Sequence, residues 1–266
     1  MVSLFKYTVD TLTALRCRST KKFGQNFLID KNVVEKFVHS AGLSSGDNVV
    51  EIGPGLGTVS EEILRHGTNL FAIELDRRLF GFLKEKYGAS ENFNLMHGDA
   101  IKFPIAALSG ECEDYKVVAS LPYAISSPWM EALLRCENLP KSLALVIQFD
   151  TANRFLAKHG TKSFGPISIF LQSAYVKVSM CNIARNSFHP APAVDSVMLF
   201  LARKEKPYLF LSEIRQAIRK IFGTRRKQIS RIANECGFSL DAWLKANEIS
   251  PSARPEQIPL DAWQSF

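Results

Sequence analysis

From about residue 31 onward the chain alternates stretches of helical spacing with short apolar or β-branched runs, and that alternation leaves few folds open. Runs that are apolar throughout need cover on both faces, and the helices between them can supply it, so the pattern predicts an α/β fold with a largely parallel sheet. Strands are expected at 48–52, 70–74, 94–97, 116–119 and 142–148, and helices near 31–41, 58–65, 77–86 and 128–135. Two later runs, 174–180 and 196–201, are expected to close the sheet. Past Arg203 the pattern turns helical and basic, with a break at Lys206-Pro207. The expected domains are an N-terminal extension at 1–20, a main domain at 21–203 and a small all-helical C-terminal domain at 204–266.

The extension carries Phe5, Val9, Leu12 and Leu15 at helical spacing, followed by Arg16, Arg18 and Lys21. An organelle presequence has this basic, amphipathic look, but Asp10 and the apolar stripe favour a short docking helix. With 46% hydrophobic residues in 266, the chain can bury a sizeable core. No run is long enough to cross a bilayer, and the start lacks the order of a secretory signal. Cys17, Cys112, Cys136, Cys181 and Cys236 are odd in number and scattered, without metal-ligand spacing, and read as reduced thiols of a cytoplasmic protein that binds no metal. The net charge of +7 points to a polyanionic partner, nucleic acid first, although a solvated surface shows a similar excess.

The chemistry concentrates at the ends of the expected strands. The first runs into Glu51-Ile52-Gly53-Pro54-Gly55-Leu56-Gly57-Thr58, where Gly53 and Gly55 lack the Cβ atoms that would keep a ligand off the backbone amides. Thr58 stands where a dinucleotide fingerprint has its third Gly, and no G-K-[ST] follows, which argues against NAD and ATP. An ordinary tight turn accounts for the glycines equally well. Glu74 ends the next strand about 20 residues on, the spacing at which an acid takes ribose hydroxyls. Asp99, in His97-Gly98-Asp99-Ala100, ends the third strand and is suited either to an adenine amino group or to a helix N-cap. A glycine turn and two acids at three consecutive strand ends favour S-adenosyl-L-methionine as cofactor.

The fourth strand ends in Ser120-Leu121-Pro122-Tyr123, a sequence suited to methylating an exocyclic amine. Such a nitrogen is a poor nucleophile until fixed acceptors take its N–H groups and free its lone pair. Ser120 Oγ and the Leu121 carbonyl are candidate acceptors, Pro122 would fix the turn, and Tyr123 offers a flat face for a base drawn out of its stack. A plain strand-to-loop turn with a core tyrosine has the same composition.

These residues resemble the small-subunit ribosomal RNA adenine dimethyltransferases, to which the macrolide-resistance rRNA methyltransferases and mitochondrial transcription factor B are related. The likeness begins with Lys22-Phe23-Gly24-Gln25-Asn26-Phe27-Leu28 and continues through the glycine turn, Ile73-Glu74-Leu75-Asp76, Gly98-Asp99-Ala100 and the tetrapeptide with Ile125-Ser126. It resumes at Phe188-His189-Pro190-Ala191-Pro192-Ala193-Val194-Asp195-Ser196 and ends in Phe222-Gly223-Thr224-Arg225-Arg226-Lys227. Several of these motifs are specific to that family. The resemblance implies a Rossmann-like class I methyltransferase sheet covered by helices on both faces. It also implies that Asn26 and Leu28 contact the cofactor, Gly53 backs its methionine part, Glu74 holds the ribose and Asp99 the adenine, with Ser120 at the methyl-transfer position. The target adenine would stack between Tyr123 and Phe188; from the residues alone, Phe188 is equally a core aromatic and Gln25-Asn26 a polar loop.

Two positions depart from the family: Ser120 replaces the usual Asn, and Ala124 replaces the usual Asn after the tyrosine. Serine keeps one acceptor oxygen with a shorter reach. Arg215, Arg219, Lys220, Arg225, Arg226, Lys227 and Arg231 form a basic cluster for RNA phosphates, or else a solvated helix face, and Lys21 and Lys22 would extend it. The expected function is N6-dimethylation of adenines in small-subunit rRNA, or in the assembling small subunit, by a monomer. A non-catalytic rRNA-binding assembly factor and a large-subunit rRNA adenine methyltransferase are the alternatives.

Overall fold

The computed structural model describes residues 3–17, 25–110, 112, 114–236 and 239–266, with 233–236 as backbone only. The chain divides into two compact units, one of Met1–Thr151 with Lys177–Arg203, the other of Ala152–Val176 with Lys204–Phe266.

In the first unit the elements run α1 (Leu4–Ala14), β1 (Phe27–Leu28), α2 (Lys31–Ser40), β2 (Asn48–Ile52), α3 (Thr58–Arg65), β3 (Asn69–Glu74), α4 (Arg77–Tyr87), β4 (Phe93–His97), β5 (Tyr115–Ser120), α5 (Ser126–Leu133) and β6 (Ser142–Gln148). After α6 (Phe149–Phe155) and α7 (Pro166–Ala174) come β7 (Tyr175–Ile183), β8 (Phe188–His189) and β9 (Ser196–Arg203). The seven-stranded sheet has the order β4-β3-β2-β5-β6-β9-β7. Strands β2 to β6 pair in parallel, and β9 runs antiparallel to β6 from Ser142↔Ala202 to Gln148↔Ser196. The apolar runs are apolar for the reason expected: Val49, Val50, Leu70, Ala72, Val118 and Val146 are buried, with helices over the sheet. Both late runs join the sheet, as expected.

Two helices start on aspartates. Asp30 accepts the Asn32 and Val33 N–H groups at 3.0 and 3.3 Å, and Asp76 accepts that of Arg78 at 2.8 Å, satisfying donors that a helix start leaves open. Helix α1 docks through Leu12 and Leu15 onto Leu56, Leu79, Phe27 and Phe82. Phe5 departs from the expected stripe: half exposed, it sets its ring edge-on to His189 at 5.4 Å. No helix among the described residues is long and apolar enough to cross a membrane.

The second unit holds α7 with α8 (Ser212–Gly223), α9 (Ile229–Cys236), α10 (Asp241–Ala246) and α11 (Leu260–Gln264). Its core is aromatic, with Phe222 against Phe164 and Trp263 at ring separations of 6.4 and 5.5 Å. The unit reaches further back than the expected cut after residue 203. Helix α7 is buried around most of its circumference, Phe170 packs on Phe210 at 5.2 Å, and the Ala174 and Ser173 carbonyls accept the Lys204 and Tyr208 N–H groups.

Candidate active site

Parallel strands carry their connecting loops to one edge, and the carboxyl ends of β2, β3, β4 and β5 build two adjoining cavities there. The first, about 690 Å³ with its solvent-open space, is lined by Asn26, Leu28, Gly53, Gly55, Glu51 and Glu74, then by Ser120, Leu121, Pro122, Tyr123 and Phe188. The second, about 790 Å³, has Gly53, Glu74, Gly98, Asp99 and Pro122 in its wall. Gln25, Gly53, Glu74 and Pro122 belong to both, so the cavities share a wall.

The glycine turn is tight for a local reason. Gly53 and Gly55 have φ of +67° and +62°, values that side chains disfavour, and a Cβ on Gly55 would stand 3.0 Å from the Phe27 ring. Phe27 reaches that position because Phe27 and Leu28 pair antiparallel with His189 and Phe188. This two-residue ladder brings Asn26, Leu28 and Phe188, far apart in sequence, to one cavity. It is too short to show a pattern in the sequence, so Phe27 is a contributor that sequence reasoning missed.

Glu74 bridges the turn to the next helix. One carboxylate oxygen accepts the Gly55 N–H at 3.1 Å, and the other accepts the Asp76 N–H at 2.9 Å. Burial pushes its pKa up to about 7, against the pull of these backbone donors. Glu51, the second missed residue, is buried on β2 and accepts the Ser60 hydroxyl at 2.6 Å; burial carries its pKa to about 8. Its signal was a lone acid inside an otherwise apolar run.

Asp99 does what an N-cap does, accepting the Ile101 N–H at 2.9 Å, and this occupies one of its two oxygens. Ser120 ends β5 opposite Val146, and the Leu121 N–H is tied to the Val146 carbonyl at 3.1 Å. Pro122 lies against the glycine turn, its Cδ 3.5 Å from where a Gly53 Cβ would be. No Lys or Arg among the described residues lines either cavity, while four acidic side chains do, Glu51, Glu74, Asp76 and Asp99. Such walls offer a phosphate group no cationic side chain and suit a ligand rich in hydroxyls and amines, the character of S-adenosylmethionine.

The raised pKa of Glu51 sets a pH dependence. Between the ordinary carboxylate range and about 8, the folded chain holds a proton that the unfolded chain releases, so stability falls as pH rises through that window. Glu51→Gln, neutral throughout, should therefore lose less of its thermal midpoint between pH 5.5 and 8.5 than the parent chain. Equal losses in both proteins would disprove this.

The basic cluster is divided. Arg225 directs its guanidinium at the Lys162 and Phe164 carbonyls, at 2.5 and 3.5 Å, and Arg215 is buried with its guanidinium 4.3 Å from the Phe170 ring centre. Arg226 and Lys227 are exposed. Lys21 and Lys22 lie outside the described residues, as do Phe23 and Gly24 of the first quoted motif.

The family model for ribosomal RNA adenine dimethylase matches residues 16–263. A protein of Opitutus terrae called Ribosomal RNA small subunit methyltransferase A is 39% identical over 266 residues, 97% of this chain and 96% of its own. Its namesake in Pseudomonas aeruginosa is 33% identical over 249 residues, 92% of each chain. Among solved structures, a dimethyladenosine transferase from Plasmodium falciparum matches with a TM-score of 0.70 and 26% identity, over 88% of this chain and 93% of that one. The 23S rRNA methyltransferase ErmE shares the fold, with a TM-score of 0.64 at 20% identity over 90% and 96% of the two chains.

Proposed function

The chain belongs to the ribosomal RNA adenine dimethylase family, and we propose that the cluster at the ends of β2 to β5 is where it works. It is an S-adenosylmethionine-dependent enzyme that dimethylates adenines of small-subunit rRNA at N6. The observation that carries the site assignment is the adjoining pair of cavities, which share Gly53 and Glu74, with Ser120, Tyr123 and Phe188 lining one and Asp99 the other.

In this reading Gly53 and Gly55 admit the amino-acid part of the cofactor to the backbone, with Asn26 and Leu28 across from them. Glu74 accepts from the ribose hydroxyls and Asp99 from the adenine amino group. When bound, S-adenosylmethionine supplies a methyl group on a cationic sulfur. Tyr123 and Phe188 grip the extruded target adenine. Ser120 Oγ and the Leu121 carbonyl accept its N6–H groups and turn the nitrogen lone pair out of conjugation with the ring. No side chain has to act as a strong base, because the alkylated nitrogen is cationic and gives its proton to water. The site contributes alignment.

We place the enzyme in the cytoplasm as a monomer, acting on a partly assembled small subunit. Exposed Arg226 and Lys227 serve as phosphate contacts, while Arg225 braces the Lys162–Phe164 backbone. Arg226→Ala and Lys227→Ala should weaken RNA binding evenly across sequences, each reducing the slope of log affinity against log salt by about one. Affinity insensitive to salt would remove this part of the reading.

The deciding experiment incubates the protein with labelled S-adenosylmethionine and undermethylated small subunits and maps methylated adenines by mass spectrometry, with Glu74→Ala and Asp99→Ala as controls. Dimethyladenine made only by the unaltered site supports the assignment. No methylation, with cofactor and subunit binding both retained, overturns it in favour of a binding protein on the same fold.

A further inference from the structure

Tyr123 stands in a single turn of 3-10 helix after β5, half-buried. Its hydroxyl lies 2.5 Å from Ser196 Oγ. Ser196 is rigid by comparison: it is the first residue of β9, buried, and paired with Gln148 at the end of the β6–β9 ladder. The residue before it is tied to the end of β6, since the Asp195 carbonyl accepts the Phe149 N–H at 2.9 Å, while its exposed carboxylate meets Arg185 Nε at 2.8 Å. A buried hydroxyl on a fixed strand is a poor place for an unpaired polar group, and Tyr123 supplies the partner.

We propose that Ser196 is a positioning residue for methyl transfer, fixing the plane of the Tyr123 ring and with it the tilt of the target adenine. The inference rests on the reading that Tyr123 stacks that base. Ser196 touches neither cofactor nor substrate in this account and acts only through the tyrosine.

Single-turnover methylation of undermethylated small subunits at saturating S-adenosylmethionine tests it, using Ser196→Ala, Tyr123→Phe, the double variant and Tyr123→Ala. Ser196→Ala and Tyr123→Phe should each slow transfer about tenfold, with cofactor Kd unchanged. The double variant should be no slower than either single one, because both substitutions remove the same contact. Single variants at the parent rate, or a double variant whose losses multiply, overturn the inference. If Tyr123→Ala is slow while the hydroxyl variants are unimpaired, the Ser196 role alone falls. If Tyr123→Ala is also unimpaired, stacking by Tyr123 falls and the Ser196 role falls with it. Tyr123→Phe adds no atom, so it decides the matter even if Ser196→Ala fails to fold.

Discussion

Glu74→Ala should weaken S-adenosylmethionine binding by about 10²-fold or more, equivalent to roughly 3 kcal/mol. Three losses act together. On the proposed assignment the cofactor loses its ribose acceptor; the Gly55 N–H also loses the partner that holds the turn, and the Asp76 N–H at the head of α4 is stranded. Each buried donor left without a partner costs about 1–3 kcal/mol, only part of which falls on binding. Glu74→Gln is the sharper variant. Each carboxylate oxygen takes a different backbone N–H, so an amide of the same shape must set its NH₂ against one of those two donors. Its cofactor affinity should fall between those of the parent and the alanine variant. Titration calorimetry on the three proteins checks the order, and an alanine variant with parent affinity would remove Glu74 from the cofactor site.

Ser120→Ala should lower the methyl-transfer rate about 10²- to 10³-fold with cofactor affinity unchanged, the usual cost of deleting one preorganised partner of a developing charge. Ser120 is well placed for such a selective effect. It is the last residue of β5, locked in register with Val146, and it lines the cavity beside Tyr123 and Phe188. Ser120→Asn keeps an acceptor and extends its reach, so turnover should hold or rise. A dead Asn variant that still binds cofactor would argue against an acceptor role at this position.

The parallel half of the sheet was legible because its physics is local. A strand buried on both faces must be apolar along its length, and a loop that turns on glycine and ends on an acid shows both features within a few residues, as at Gly53, Gly55 and Glu74. The stretch 149–174 was not legible. β6 runs into α6 without a break, and α7 is buried around most of its surface, so its apolar residues lose the 3.6-residue period that marks a helix. The expected strand at 174–180 began one residue early, because α7 runs straight into β7, and ended three residues short of Ile183. Arg215 misled in another way: on composition it belonged to a basic surface, but its guanidinium lies over the Phe170 ring. In the site, the strand-end acids and the tetrapeptide could be read directly. The company of Asn26, Leu28 and Phe188 came only from the family resemblance, since nothing local announces a ladder two residues long.

That ladder also imposes an order of events on a chain being synthesised. The glycine turn, Glu74, Asp99 and the Ser120 tetrapeptide leave the ribosome early, whereas Phe188 and Ser196 follow only after most of the chain has been made. Closing so long a loop costs little more stability than closing a short one, but it delays the contact. A nascent chain that stops short of β8 therefore holds the strand-end groups of the cavity, Tyr123 included, but lacks Phe188, so on the proposed assignment the second face for the base is the last part of the site to arrive.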